Sequence, residues 1–246
     1  MKDAAMDYDL AAENIRASYR KVTSKYRDDD EIEVTTDNHL HFYRILRDIS
    51  ISFDRPIVAL DAGCGTGRYF HCLKNVNRLV GIDVSPDMLK AAESPVRASE
   101  INADEVELRC ENVFKASFPA ESFDVIYSLG MFGHGCPVTL EICNRFYEWL
   151  KPGGRLFFNV LDLATLPRRV RFKKRVRRLI YPFLPQSFQR MLDERQRWLP
   201  FFGMTRRELR HLMAQSAFKS AAISSRLTQT PLWRGLQLEC SATKLP

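Results

Sequence analysis

No apolar run in this 246-residue chain approaches the ~18 consecutive residues that a membrane-spanning helix needs, which excludes a helical span. There is no internal repeat and no low-complexity segment, so solenoid architectures and long disordered tracts drop out. The six cysteines (Cys64, Cys72, Cys110, Cys136, Cys143, Cys240) show no metal-type pairing and mostly sit in apolar elements. They read as reduced core thiols, with small-residue packing favoured over a nucleophilic role for Cys64. Residues 1–7 are polar and acidic, unlike a signal or transit peptide, so the expected location is the cytoplasm. Glycine is scarce, 11 residues in all, yet three of them stand at alternate positions 63, 65 and 67.

What is present begins with an adequate core: 45% apolar residues in a length that suits one domain with appendages. The net charge of +7 is concentrated. Residues 167–210 hold 14 Arg and Lys against 3 Asp and Glu, which leaves the rest of the chain mildly acidic. Within that region, 168–181 places Phe172, Val176, Leu179 and Ile180 on one helical face and a nearly solid row of Arg and Lys on the other. A basic amphipathic helix of this kind suits an anionic substrate or a membrane surface. Nucleic acid is the weaker reading, because no aromatic-stacking module or RNA-binding signature accompanies it. A solvated face over the domain also stays open.

The glycines follow Val58-Ala59-Leu60-Asp61, a short apolar run that ends in an acid and reads as a strand buried on both faces. Asp-x-Gly-x-Gly-x-Gly differs from the pyrophosphate-binding Gly-x-Gly-x-x-Gly. The acid stands where a cationic amine, rather than a phosphate, can be held. Leu79-Val80-Gly81-Ile82-Asp83 repeats the pattern 22 residues on, and a carboxylate there reaches ribose hydroxyls in a strand-helix-strand unit. Capping a following helix is the other role open to Asp83. Further on come Glu111-Asn112-Val113-Phe114, then Phe123-Asp124-Val125-Ile126-Tyr127-Ser128, then Leu150-Lys151-Pro152-Gly153-Gly154 before an apolar run.

In this order and spacing these stretches, across about residues 57–160, resemble the motifs of class I S-adenosylmethionine-dependent methyltransferases. The resemblance implies an α/β, doubly wound, Rossmann-like methyltransferase fold: seven strands, mostly parallel, with an antiparallel last hairpin. It implies S-adenosyl-L-methionine as cofactor. Asp61 would organise its methionine end, with Gly63, Gly65 and Gly67 approaching through backbone. Asp83 would take the ribose hydroxyls, Val84 and Met88 would flank the adenine, and Asn112 and Val113 would meet its edge. The backbone at Ser128 and Leu129 would lie near the methionine amine. Asn112 departs from the family, which most often has Asp there. The missing Asn/Asp-Pro-Pro-Tyr/Phe after the fourth strand argues for the small-molecule branch.

Taken in order, the chain predicts a helix over about 8–26, an acidic loop at 28–33 and a helix capped by Thr36 or Asp37. Together these form an N-terminal cap, 1–54, in which Tyr19 and Tyr26 either enclose the cofactor or pack in the core. The body, 55–246, predicts strands at 57–61, 78–83, 105–110, 123–128 and 155–161. Helices are predicted near 67–74, 86–98 and 137–150. A basic helical insertion spans 163–204, a capping box at Thr205-Arg206-Arg207-Glu208 opens a helix to about 215, and strands follow near 218–226 and 235–243.

Methyl transfer from a sulfonium needs alignment and, for some acceptors, removal of a proton. His134, in a glycine-flanked loop after the fourth strand, stands as the candidate base or as a pocket-shaping residue. His39 and His41 are weaker candidates. The resulting expectation is O- or N-methylation of a small or lipid-linked acceptor. An RNA or protein methyltransferase docking through the insertion, and a silent binding module, are the alternatives.

Overall fold

The apolar runs become the centre of one seven-stranded sheet. In the computed structural model the described residues are 8–20, 22–133, 136–165, 172, 176, 179–180, 183–185, 187–188, 202–231 and 234–245. Strands β1 (Ile57–Ala62), β2 (Val76–Asp83), β3 (Ala103–Cys110), β4 (Phe123–Ser128), β5 (Leu150–Leu161), β6 (Ala222–Gln229) and β7 (Arg234–Thr243) stand in the order β3-β2-β1-β4-β5-β7-β6. The first five are parallel, and β7 runs antiparallel to both β5 and β6. β4 is buried along its whole length and β1 almost so, as central parallel strands must be. The strand order reverses between β1 and β4, so the carboxyl ends of these two strands frame the crevice where such sheets bind ligands.

Side-chain alternation splits the core in two. Leu60, Ala62 and Ile126 join the face covered by α5 (Leu140–Trp149) and α6 (Arg206–Gln215). Ile57, Ala59, Val125, Tyr127 and Phe157 join the face covered by α3 (Asp37–Ile51) through Phe42 and Leu46. Thr36, not Asp37, caps α3, accepting from the His39 N–H at 3.2 Å. The capping box forms as the sequence predicts, Thr205 and Glu208 each satisfying the other's backbone N–H.

Several predicted boundaries move, each for a local reason. The single N-terminal helix is two, α1 (Tyr8–Arg20) and α2 (Thr23–Glu33), and α2 includes the acidic run expected to be a solvated loop. The helix at 67–74 shrinks to a 3-10 turn, Phe70–Cys72, because the glycine loop uses up most of a short crossover. The helix at 86–98 ends as α4 (Pro86–Ala92): Pro95 lacks an N–H and biases Ser94 away from helix, and a 3-10 turn follows at Ala98–Glu100. The Pro-Gly-Gly segment, which falls between the helix predicted to 150 and the strand predicted from 155, lies inside β5. The chain passes from Trp149 straight into β5, and the Gly153 N–H donates to the Lys244 carbonyl at 2.9 Å.

Asp124 ties together the amino ends of the central strands, at the end of the sheet opposite the crevice. It is 1% exposed and accepts from Arg55 at 2.5 Å, from Lys151 at 2.9 Å and from the Val58 N–H at 2.8 Å. Burial alone would raise its pKa, but these donors hold it below the usual carboxylate range. Three of the recurring stretches, around residues 58, 124 and 151, therefore meet in one structural knot. Among the described residues no helix is long and apolar enough to cross a membrane.

Candidate functional site

Each of the two acids that end a buried strand sits at the carboxyl end of the sheet, but their surroundings differ. Asp61 is 2% exposed, and its Oδ2 has no hydrogen-bond partner. β1–β4 pairing sets it opposite Tyr127, whose buried hydroxyl also lacks a partner of hydrogen-bonding geometry. Burial pushes the Asp61 pKa up to about 8, Tyr127 works against that rise, and the Asp83 charge adds to it. A buried carboxyl with a spare oxygen is what a cationic group entering the crevice would complement.

Asp83 is half-buried and already ordered. Its Oδ2 accepts from the Gly65 N–H and its Oδ1 from the Ser85 N–H, each at 2.9 Å. Burial raises its pKa against the pull of these backbone donors. Since each carboxylate oxygen has two lone pairs, capacity remains for further donors. The contact also fixes the glycine loop. Gly65 has φ +55° and nothing within 4 Å of where a Cβ would stand, so it borders open space. Gly63, at φ +79°, carries the Met131 side chain packed directly over it. Gly67 turns the chain into Phe70.

The remaining predicted residues take up varied positions. Val84 is half-buried, and its carbonyl accepts from Arg16 Nε at 2.7 Å. Met88 is buried on α4, beneath the N-terminal helices. Asn112 Oδ1 accepts from the Phe114 N–H at 3.0 Å, which shapes the turn, and the Val113 side chain joins the core. Ser128 Oγ donates to the Ala62 carbonyl at 2.7 Å and closes the seam between β4 and β1. Leu129 is buried, and the next N–H, of Gly130, donates to Asn159 Oδ1 at 2.8 Å. His134 lies outside the described residues. The loop around it closes through the Gly133 N–H and the Cys136 carbonyl at 2.9 Å. Most of 168–181 also lies outside them, although Phe172, Leu179 and Ile180 are 69%, 59% and 50% exposed.

Neither weaker histidine candidate stands free at the crevice. His39 is 3% exposed, with its pKa lowered to about 3 by burial and by His71, and His41 Nε2 lies 2.8 Å from Glu239 Oε1. A groove of about 480 Å³ beside Ile45, Asp48 and Arg155 lies away from Asp61 and Asp83.

Sequence reasoning missed the residues that bring the N-terminal helices onto the glycine loop. Asp30, inside the supposed acidic loop, is fully buried. It accepts from Thr66 Oγ1 at 2.5 Å and pairs with the Arg68 guanidinium. Tyr19 is half-buried and close enough to Tyr26 and Asp83 for both to raise its pKa, burial being the larger cause. Helices α1 and α2 thus cover the carboxyl end of β2.

Residues 60–158 match the profile of a family described as "Methyltransferase domain". The chain is 35% identical over 111 residues to phosphoethanolamine N-methyltransferase 3 of Arabidopsis thaliana, covering 44% of this chain and 21% of that protein. It is 30% identical over 144 residues to the demethylmenaquinone methyltransferase of Lactococcus lactis, covering 57% and 56%. The chain thus spans only about a fifth to about half the length of these relatives. A solved structure, the 1,6-didemethyltoxoflavin-N1-methyltransferase of Burkholderia thailandensis with S-adenosylhomocysteine bound, superposes with a TM-score of 0.63 at 18% identity. That superposition covers 98% of this chain and 92% of that one. With this sheet order, an acid at the end of β1, a glycine loop behind it and a second acid ending β2, the fold is that of the class I S-adenosylmethionine-dependent methyltransferases, and residues 60–158 match a methyltransferase domain.

Proposed function

We propose that the chain is an S-adenosylmethionine-dependent methyltransferase acting on a small or lipid-linked acceptor, with residues 1–54 serving as a cap over the body 55–246. The observation that carries this reading is the orphaned, buried Asp61 carboxyl beside a glycine loop that borders open space at Gly65. In it, Asp61 holds the methionine end, where a positive amine supplies the partner its Oδ2 lacks. Gly63, Gly65 and Gly67 permit close backbone approach. Asp83 takes the ribose hydroxyls through its spare lone pairs while keeping Gly65 in place. Val84 and Met88 border the adenine, whose edge meets the backbone of Asn112 and Val113, and the backbone of Ser128 and Leu129 borders the methionine end.

When bound, S-adenosylmethionine supplies a methyl group already activated on a sulfonium, so the protein contributes alignment and a dry cleft. His134, in the loop after β4, takes a proton from an acceptor hydroxyl or amine. The apolar residues exposed at 172, 179, 180 and 183, in a strongly basic insertion, favour an acceptor that carries both an apolar and an anionic part.

Calorimetric titration of S-adenosylmethionine tests the cofactor site. Wild type should bind, and Asp83→Ala should lose about 100-fold in affinity, the equivalent of about 3 kcal/mol of charge-assisted hydrogen bonding. No binding by wild type would overturn the reading. For the acceptor, sedimentation with anionic and neutral vesicles, with and without residues 168–181, should show anionic-selective binding that needs the insertion.

A further inference from the structure

On the α3 face of the sheet, behind the glycine loop, three metal-ligating side chains converge that no part of the methyl-transfer site uses. His39 comes from the first turn of α3, and His71 and Cys72 come from the 3-10 turn that follows the loop. Their relative exposures are 3%, 0% and 0%. His39 Nε2 and His71 Nε2 are 3.1 Å apart, and Cys72 Sγ lies 3.9 Å from the first and 3.8 Å from the second. From this geometry we propose that His39, His71 and Cys72 form a binding site for a Zn²⁺-type ion, which clamps the cap helix to the segment carrying the glycine loop.

The separations match the requirement. With metal–nitrogen bonds of about 2.05 Å and a metal–sulfur bond of about 2.3 Å, they correspond to angles of about 98° between the nitrogens and about 122° and 127° to sulfur. The set is flatter than a tetrahedron, so the ion sits close to the plane of its three ligands. Among the described residues no fourth His, Cys, Asp or Glu joins the cluster, which leaves the fourth position to water. One thiol and two imidazoles favour a borderline-soft ion over Mg²⁺ or Ca²⁺.

The rings are prepared for this role. Neither Nδ1 has a partner, so both tautomers are open: without metal one Nε2–H donates to the other Nε2, and with metal both ring protons move to Nδ1 and both Nε2 lone pairs face the ion. Tyr69 stacks on His39 at 5.4 Å between centroids and Tyr43 on His71 at 6.1 Å, which fixes the ring planes. Burial keeps both imidazoles neutral and the thiol protonated without metal. On binding, the Cys72 S–H bond is replaced by a sulfur–metal bond and its proton leaves to solvent, with no change of oxidation state. Glu100 supplies negative charge near the thiol, against the positive charge of Lys74 and Arg97.

The test uses the full chain, reduced and stripped with chelator. One equivalent of Co²⁺ should produce a thiolate-to-cobalt charge-transfer band, and Zn²⁺ should displace it. Zn²⁺ at a hundredfold excess over its Kd should raise Tm by about 5–10 °C. Cys72→Ser should lose the band, while Cys110→Ser, at an exposed thiol, should keep it. No band in wild type, or a band that survives Cys72→Ser, would overturn the proposal. Should Cys72→Ser fail to fold, X-ray absorption on the wild-type zinc form decides. Two imidazole nitrogens and one sulfur support the site, and an oxygen-and-nitrogen-only shell refutes it.

Discussion

Replacing Asp61 with asparagine removes a titrating group while keeping the side chain's shape, and the structure sets the size of the effect. A carboxyl in the unfolded chain releases its proton near 3.8, whereas Asp61 in the fold holds it to about 8. Between those values the folded chain binds one proton more than the unfolded chain. Stability therefore falls as pH rises, by about 1.4 kcal/mol per pH unit, and levels off above pH 8. The asparagine variant has no such proton to lose. The stability of Asp61→Asn relative to wild type should thus climb by up to about 4 kcal/mol from pH 5 to pH 8. Acids remote from Asp61 titrate alike in both proteins and cancel. Urea denaturation at half-unit steps of pH measures the difference directly. Saturating S-adenosylmethionine adds a second arm: a cation beside Asp61 favours the carboxylate, so the wild-type slope should flatten. Parallel curves for the two proteins without cofactor would show Asp61 ionised throughout and refute the argument from burial.

Three further outcomes follow from named contacts. Asp30→Ala strands the Arg68 guanidinium and the Thr66 hydroxyl, and should cost about 3 kcal/mol, read as a Tm lower by about 6–12 °C. Asp30→Asn, which keeps one acceptor, should lose less. Gly65→Ala meets no atom within 4 Å but must hold φ +55°, so Tm should fall by only a few degrees while calorimetry shows clearly weaker cofactor binding. Thr205→Ala removes one half of the capping box and should cost about 1 kcal/mol in urea denaturation with cofactor affinity unchanged.

The sheet was legible because its central strands bury both faces, and such runs have few other uses. β4 falls at the predicted residues, 123–128. The glycine loop and the two strand-ending acids were legible through their spacing. Asp30 was not, because an acidic run reads as solvated until Arg68, 38 residues later, is known to face it. Tyr127 looked like one more strand residue, and only the β1–β4 pairing sets it opposite Asp61. The helix expected at 67–74 failed on length, since apolar periodicity does not reveal how many residues a loop will take up. His39 and His71 are 32 residues apart, a separation that no local metal motif covers.

The grip of Asp30 on Thr66 and Arg68 also bears on turnover. Helix α2 is fastened to the loop it covers, so under the proposed function release of the spent nucleoside would be coupled to opening of that contact. The strength of one buried ion pair would then enter the release rate, and in many enzymes such an opening, not the chemistry, limits the steady-state rate.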